Sequence, residues 1–152
     1  MRIRTILVPT DFSRPARAAW EYAQDLAMCF DSRVHLVHVL TPPPFVEDPL
    51  ATDRLTLQVA DLLKEAAGDV QQALDRIRVS PALVDRVVRR TITGRPVEEI
   101  LNYVKRQRID LVVMGTHGRG PITHVLLGSV AERVVRHCTV PVITLHGRAR
   151  RR

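Results

Sequence analysis

A chain of 152 residues, 45% apolar and 26% charged, is long enough for one domain with its own core and is composed like a globular protein. No run approaches the roughly 18 apolar residues of a membrane span, and "MRIRTILVPTDF" opens with too short an apolar run for a signal peptide, so a cytoplasmic protein is expected. The net charge of +7 attracts polyanions, but 4% aromatic residues leave little surface for stacking on single strands, and no nucleic-acid motif is visible.

The chain begins with "IRTILVP" (3–9), which reads as a buried strand. Ala16, Ala19, Trp20, Ala23, Leu26, Ala27 and Phe30 then recur at three- and four-residue spacing, the stripe of an amphipathic helix. "RVHLVHVL" (33–40) is the second predicted strand. "TPPPFVEDPL" (41–50) carries four prolines, which excludes a helix interior or a central strand and leaves a loop. Val59, Leu62, Leu63, Ala66, Ala67, Val70, Leu74 and Ile77 mark a long second helix, and "LVDRVVRRT" (83–91) a third strand. In "TGRPVEEILNYVKRQ", Pro96, Glu98 and Glu99 stand where a helix should start, and Val97, Ile100, Leu101 and Val104 form its stripe. "IDLVVMG" (109–115) is apolar almost throughout, as in a parallel sheet covered on both faces. A short helix over "SVAERVVRHC" presents Ala131, Val134, Val135 and Cys138, and "VPVITLH" (140–146) is a fifth strand. Cys29 and Cys138 show no metal-ligand spacing and are expected as small buried hydrophobes. Strands alternating with helices predict a single doubly wound α/β domain over residues 1–147, with a parallel sheet and helices on both faces. Residues 148–152 form a basic tail.

"MGTHGRGPITHVLLGSV" (114–130) holds four of the seven glycines and leaves the carboxyl end of the fourth strand, where ligands bind in such sheets. It is not a Walker A loop, because Pro121 stands where the lysine belongs. Nor is it a dinucleotide fingerprint, because Thr123 replaces the third glycine. Gly115, Gly118 and Gly120 let backbone amides approach an anion closely. Gly128 and Ser129 begin the next helix, where "SVAE" has the spacing of a capping box from Ser129 to Glu132. A helix start is a ready anion site, and Arg119 adds charge to the loop. Glycines at strand ends and a serine cap are equally what a sound α/β turn requires. Asp11, just past the first strand in "VPTDFS", has two readings as well. It is either a carboxylate for a ribose hydroxyl or adenine amine, or an N-cap or turn residue before a helix at Arg14.

The segments "ILVPTDFS", "GRPVEEIL" and "DLVVMGTHGRGPITHVLLGSVAERVVRHCTVPVITL" together resemble the universal stress protein family. Gly115-x2-Gly118-x9-Gly128-Ser129 is similar to the motif of that family's ATP-binding branch, and the likeness covers the chain apart from 41–55 and the arginine tail. The resemblance implies a five-stranded parallel sheet of order 3-2-1-4-5 and a homodimer paired through the fifth strand. It implies ATP as ligand; Mg²⁺ could ride on its phosphates, with water and Ser129 as ligands. Pro9, Thr10 and Asp11 would line the nucleoside end, and Val39 would meet adenine through its backbone. Met114, Gly115, Gly118, Arg119, Gly128, Ser129 and Val130 would hold ribose and phosphates.

The residue types argue against a dedicated catalyst. Phosphoryl transfer needs charge neutralisation, a held metal and an oriented nucleophile, yet the glycine stretch has neither lysine nor acid before Glu132. His117 and His124 read as polar loop residues, and His35 and His38 face opposite sides of a strand. No catalytic residue and no metal site of the protein's own are therefore expected. The expectation is an ATP-binding stress-response regulator with protein partners the sequence does not name. A slow ATP hydrolase is the alternative, and a basic nucleic-acid-associated protein the third reading.

Overall fold

The computed structural model describes residues 2–43, 53–116 and 127–146. Strand β1 (Thr5–Pro9) leads into helix α1 (Arg14–Phe30), then β2 (Arg33–Leu40), α2 (Asp53–Asp75), β3 (Val87–Thr93), α3 (Pro96–Arg106), β4 (Leu111–Gly115), α4 (Ser129–His137) and β5 (Val142–Leu145). The strands form one parallel sheet in the order β3-β2-β1-β4-β5. This is the α/β architecture, helices included, expected from the alternating pattern. The predicted loop at 41–50 falls mostly outside the described residues, as does the tail at 148–152.

Local chemistry sets the element ends. Helix α1 starts where the Ser13 hydroxyl accepts the Ala16 amide at 3.3 Å, and stops at Asp31 in the left-handed region at φ 54°. The Asp110 carboxylate accepts the amides of Arg4 and Thr5 at 2.8 and 2.9 Å, fixing the start of β1 beside that of β4.

One predicted strand is half wrong. Residues Pro81–Arg86 form a 3₁₀ helix, and only from Val87 does the chain pair with β2, opposite Val34. Pro81 sets the first turn, and the Leu83 amide bonds the Ser80 carbonyl at 2.8 Å. Leu83 is fully buried, so the apolar signal there marks an anchor rather than a ladder. The cysteines also differ from expectation: Cys138 is half-buried and Cys29 is exposed. Cys29 sits two residues beyond the buried Ala27, more than half a turn away, and so faces solvent.

Alternating strand residues feed two cores. Ile6, Val8, Val34, Leu36, Leu111 and Val113 pack against α1 residues such as Trp20 and Ala23 and against Leu74 of α2. Leu7, Val37, Val112 and Met114 face the other way, against Ile100, Tyr103 and Val104 of α3 and Ala131 and Val134 of α4. Burial on both faces is why β1 and β4 read as unbroken apolar runs.

The second core also contains His35, only 7% exposed, whose Nδ1 shares a 2.9 Å hydrogen bond with the Tyr103 hydroxyl. Burial first, and then the positive charges of Arg33 and Arg90, hold its pKa below the usual 6.5. The folded protein therefore keeps this ring neutral, while the unfolded chain takes up a proton near pH 6.5. Stability is complete above that pH and is lost as pH falls from 6.5 towards the folded pKa, by at most about 1.4 kcal/mol per pH unit. Urea denaturation at pH 7.5 and 5.5 should show a smaller acid-induced loss in His35→Gln than in the parent. Equal losses would mean that His35 does not titrate differently on folding.

Candidate functional site

With order β3-β2-β1-β4-β5, the connections leave β1 and β4 in opposite directions across the sheet. A crevice opens beyond the carboxyl ends of these two strands, as parallel sheets require at a reversal point. Its volume is about 340 Å³, within the usual range for a small-molecule site. Pro9, Thr10 and Asp11 line one end, Val39 closes the β2 side, and Met114, Gly115, Gly128, Ser129 and Val130 form the opposite wall. Nine of the eleven residues singled out in the sequence thus converge on one cavity. The other two, Gly118 and Arg119, lie outside the described residues, together with Gly120, His117 and His124.

The β1–α1 turn is built by its own side chains. Thr10 Oγ1 accepts the Phe12 amide at 3.1 Å, and Asp11 Oδ1 accepts the Ser13 amide at 3.0 Å. Asp11 is therefore a turn residue, and Ser13, not Asp11, caps α1. The turn role and a ligand role are compatible, because Asp11 also lines the crevice.

The start of α4 differs from the sequence reading. Gly128 is the N-cap, with φ −59° and ψ 151°, and no side chain among the described residues caps the helix. The expected Ser129–Glu132 capping box does not form: Ser129 is already inside the helix, and Glu132 pairs with Arg136 at 3.1 Å. Its four-residue spacing on one helix face favours that pairing. The first helical bond runs from the Glu132 amide to the Gly128 carbonyl at 2.9 Å. The amides of Ser129, Val130 and Ala131 precede it and have no acceptor within the helix. They mark the positive end of the α4 dipole at the crevice wall, and the missing cap makes this terminus a better anion site than a capped one.

Thr116 joins this terminus to the sheet. Fully buried, it donates its amide to the Leu145 carbonyl of β5 at 2.9 Å, and its own carbonyl accepts the Gly128 amide at 2.5 Å. The residue after β4 and the N-cap of α4 are thereby held together, although twelve positions apart in sequence.

The sequence reading missed Ala16, Val37, His38, Pro96, Ile100, Thr116 and Ala131 as lining residues. Thr116 follows the predicted Gly115, and Pro96 opens a predicted helix; once strand order is known, both are at the correct end. Nothing in the local pattern marks Ile100 or Val37, which are core residues with one edge in the cavity. His35 and His38 do face opposite sides, His35 towards Tyr103 and His38 towards Thr10 and Phe12. Among the described lining residues the ionisable side chains are Asp11 and His38. No group of three or more His, Cys, Asp or Glu side chains suited to a metal ion occurs among the described residues. No helix among them is long and apolar enough to cross a membrane.

Comparison with known proteins agrees with this geometry. The family model of the universal stress protein family matches residues 2–146. Universal stress protein MJ0531 of Methanocaldococcus jannaschii is 33% identical over 143 residues, which are 93% of this chain and 81% of that protein. The solved structure of MJ0577, from the same organism, superposes with a TM-score of 0.76 at 25% identity, covering 99% of this chain and 100% of that one. A universal stress protein solved in complex with cAMP superposes at 0.61 and 22% identity, covering 97% and 100%, a likeness of fold alone.

Proposed function

This chain belongs to the universal stress protein family, and from that premise we propose that it is an ATP-binding stress-response regulator, a nucleotide-dependent binding module rather than an enzyme. The observation that carries this reading is the uncapped start of α4 facing Asp11 across one crevice. A ligand that satisfies both walls has an anionic end for the helix amides and a hydroxyl or amine for the carboxylate, and a nucleotide has both. Apolar Val37, Val39, Ile100 and Met114 between them suit the faces of a sugar and a base. The shared fold accommodates an adenine nucleotide in the universal stress protein solved with cAMP.

In this reading Pro9, Thr10, Asp11 and the Val39 backbone hold the nucleoside, while Met114, Gly115, Gly118, Arg119, Gly128, Ser129 and Val130 hold ribose and phosphates. The residues present fit the group: three helix amides and the Ser129 hydroxyl offer donors to phosphate oxygens, and Mg²⁺ bound to those oxygens would neutralise them further. We place the protein in the cytoplasm as a homodimer paired through β5, an edge strand whose one strand partner among the described residues is β4.

The test is thermal. Mg-ATP at about a hundred times its dissociation constant contributes about 2.7 kcal/mol to the folded state, which for a domain of this size raises Tm by about 5–10 °C. A Tm that ATP, ADP and AMP all leave unchanged would overturn the proposal.

A further inference from the structure

We propose that His38 is a positioning residue for this crevice: its ring fixes the Thr10 carbonyl and so holds the turn that presents Asp11 to the ligand. The inference rests on the nucleotide-binding reading and names a residue which that reading does not use. Alternation along β2 places His35, Val37 and Val39 on the α3 side and His38 on the α1 side, at the carboxyl end of the strand. There the His38 Nδ1 lies 2.7 Å from the Thr10 carbonyl oxygen. A carbonyl only accepts, so Nδ1 carries the proton and donates. The Thr10 amide donates in turn to the Val37 carbonyl at 2.8 Å. Both backbone polar groups of Thr10 are therefore held by neighbouring residues of β2.

The residues that follow need such an anchor. Phe12 has φ 64°, in the left-handed region that side chains other than those of Gly, Asn and Asp rarely adopt. The bonds from Phe12 to Thr10 Oγ1 and from Ser13 to Asp11 Oδ1 are internal to the turn and do not tie it to the sheet. The His38 ring supplies a second tie by packing on Phe12, with centroids 5.0 Å apart and planes tilted by 32°. One imidazole thus grips the turn on either side of Asp11, at the Thr10 carbonyl and at the Phe12 ring. The direction of the Asp11 carboxylate depends on both, and His38 acts on ligand affinity through Asp11.

Two measurements test this, one of them without nucleotide. Nitrogen-15 NMR of the free protein should find His38 as the Nδ1–H tautomer, the minor form of free histidine; an Nε2–H tautomer would overturn the proposal. In titrations with Mg-ATP, His38→Leu should bind about tenfold more weakly, the scale of one lost hydrogen bond. His38→Asn, whose side-chain amide can reach the same carbonyl, should recover most of that loss. In an Asp11→Ala background, His38→Leu should change affinity by less than about twofold, because residues that act as one unit do not add. Full additivity, or His38→Leu binding like the parent, would overturn the positioning role while leaving nucleotide binding intact. Should His38→Leu fail to fold, His38→Gln, with its amide displaced beyond the Thr10 carbonyl, takes its place against His38→Asn. A parent protein that binds no ATP would overturn both this proposal and the reading beneath it.

Discussion

A Gly128→Val variant is expected to fold like the parent and to lose ATP affinity by about a hundredfold or more, the equivalent of at least about 2.7 kcal/mol. The backbone of Gly128 tolerates the change, since φ −59° and ψ 151° suit any L-residue, β-branched ones included. The glycine makes no side-chain cap to lose, so the cost to the fold is that of a poor N-cap, about 1 kcal/mol or less. Its place on the crevice wall, one residue ahead of the uncapped amides, is what the isopropyl group would obstruct. Calorimetric titration with Mg-ATP, alongside size-exclusion and circular-dichroism profiles matching the parent, is the measurement. Parental affinity would show that phosphates do not sit at the start of α4, and that Gly128 is only a turn.

Gly115→Ala should behave in the opposite way, costing the fold about 1–3 kcal/mol, the penalty of overpacking a filled interior. A methyl group built on Gly115 would lie 2.8 Å from the Pro15 carbonyl carbon, the Pro15 Cβ and the Ala16 amide nitrogen. Two of these are backbone atoms in the first turn of α1, a helix packed tightly on β4, and cannot swing aside as a flexible side chain would. The added carbon must push β4 and α1 apart at the mouth of the crevice. Tm should fall by several degrees, at about 2–4 °C per kcal/mol for a chain of this length. A variant as stable as the parent would mean that α1 retreats without cost, and that the glycine there serves the ligand instead. Two glycines of one motif are thus required for different reasons: Gly115 for the approach of a helix, Gly128 for the approach of a ligand.

Much of the fold was legible because burial imposes periodicity. The β2 boundaries, Arg33 and Leu40, match the predicted run residue for residue, and the predicted stripe is the buried face of α1 from Ala16 to Ala27, although its last member, Phe30, is exposed at the helix end. The failures share a cause. "LVD" at 83–85 is as apolar as a strand start, but Pro81 and the buried Leu83 make it a 3₁₀ turn, and three residues are too few for a period to separate the two. "SVAE" has the letters of a capping box, yet the helix begins one residue too early for Ser129 to serve as its cap. Cys29 was assigned to the core from its neighbours' character rather than from its angle around the helix. For the site, the spacing Gly115-x2-Gly118-x9-Gly128-Ser129 pointed to a family and an anion-binding role, but said nothing of His38 or Thr116. Each of those residues matters through a bond to a distant segment: His38 to Thr10, Thr116 to Leu145 and Gly128.

By itself, then, the sequence determined what repeats along the chain: the alternation of strand and helix, the apolar faces, and a glycine-rich stretch at the end of a buried strand. These follow from local geometry, since the side-chain period and the φ/ψ demands of glycine and proline act over a few residues. Only the tertiary structure decided what each marked residue is for. Asp11 became a turn residue that also faces a cavity, Gly115 the point where α1 touches β4, and Gly128 the open cap of α4. Such roles arise where segments far apart in sequence meet at van der Waals distance, and no period along a single segment encodes which atoms those will be.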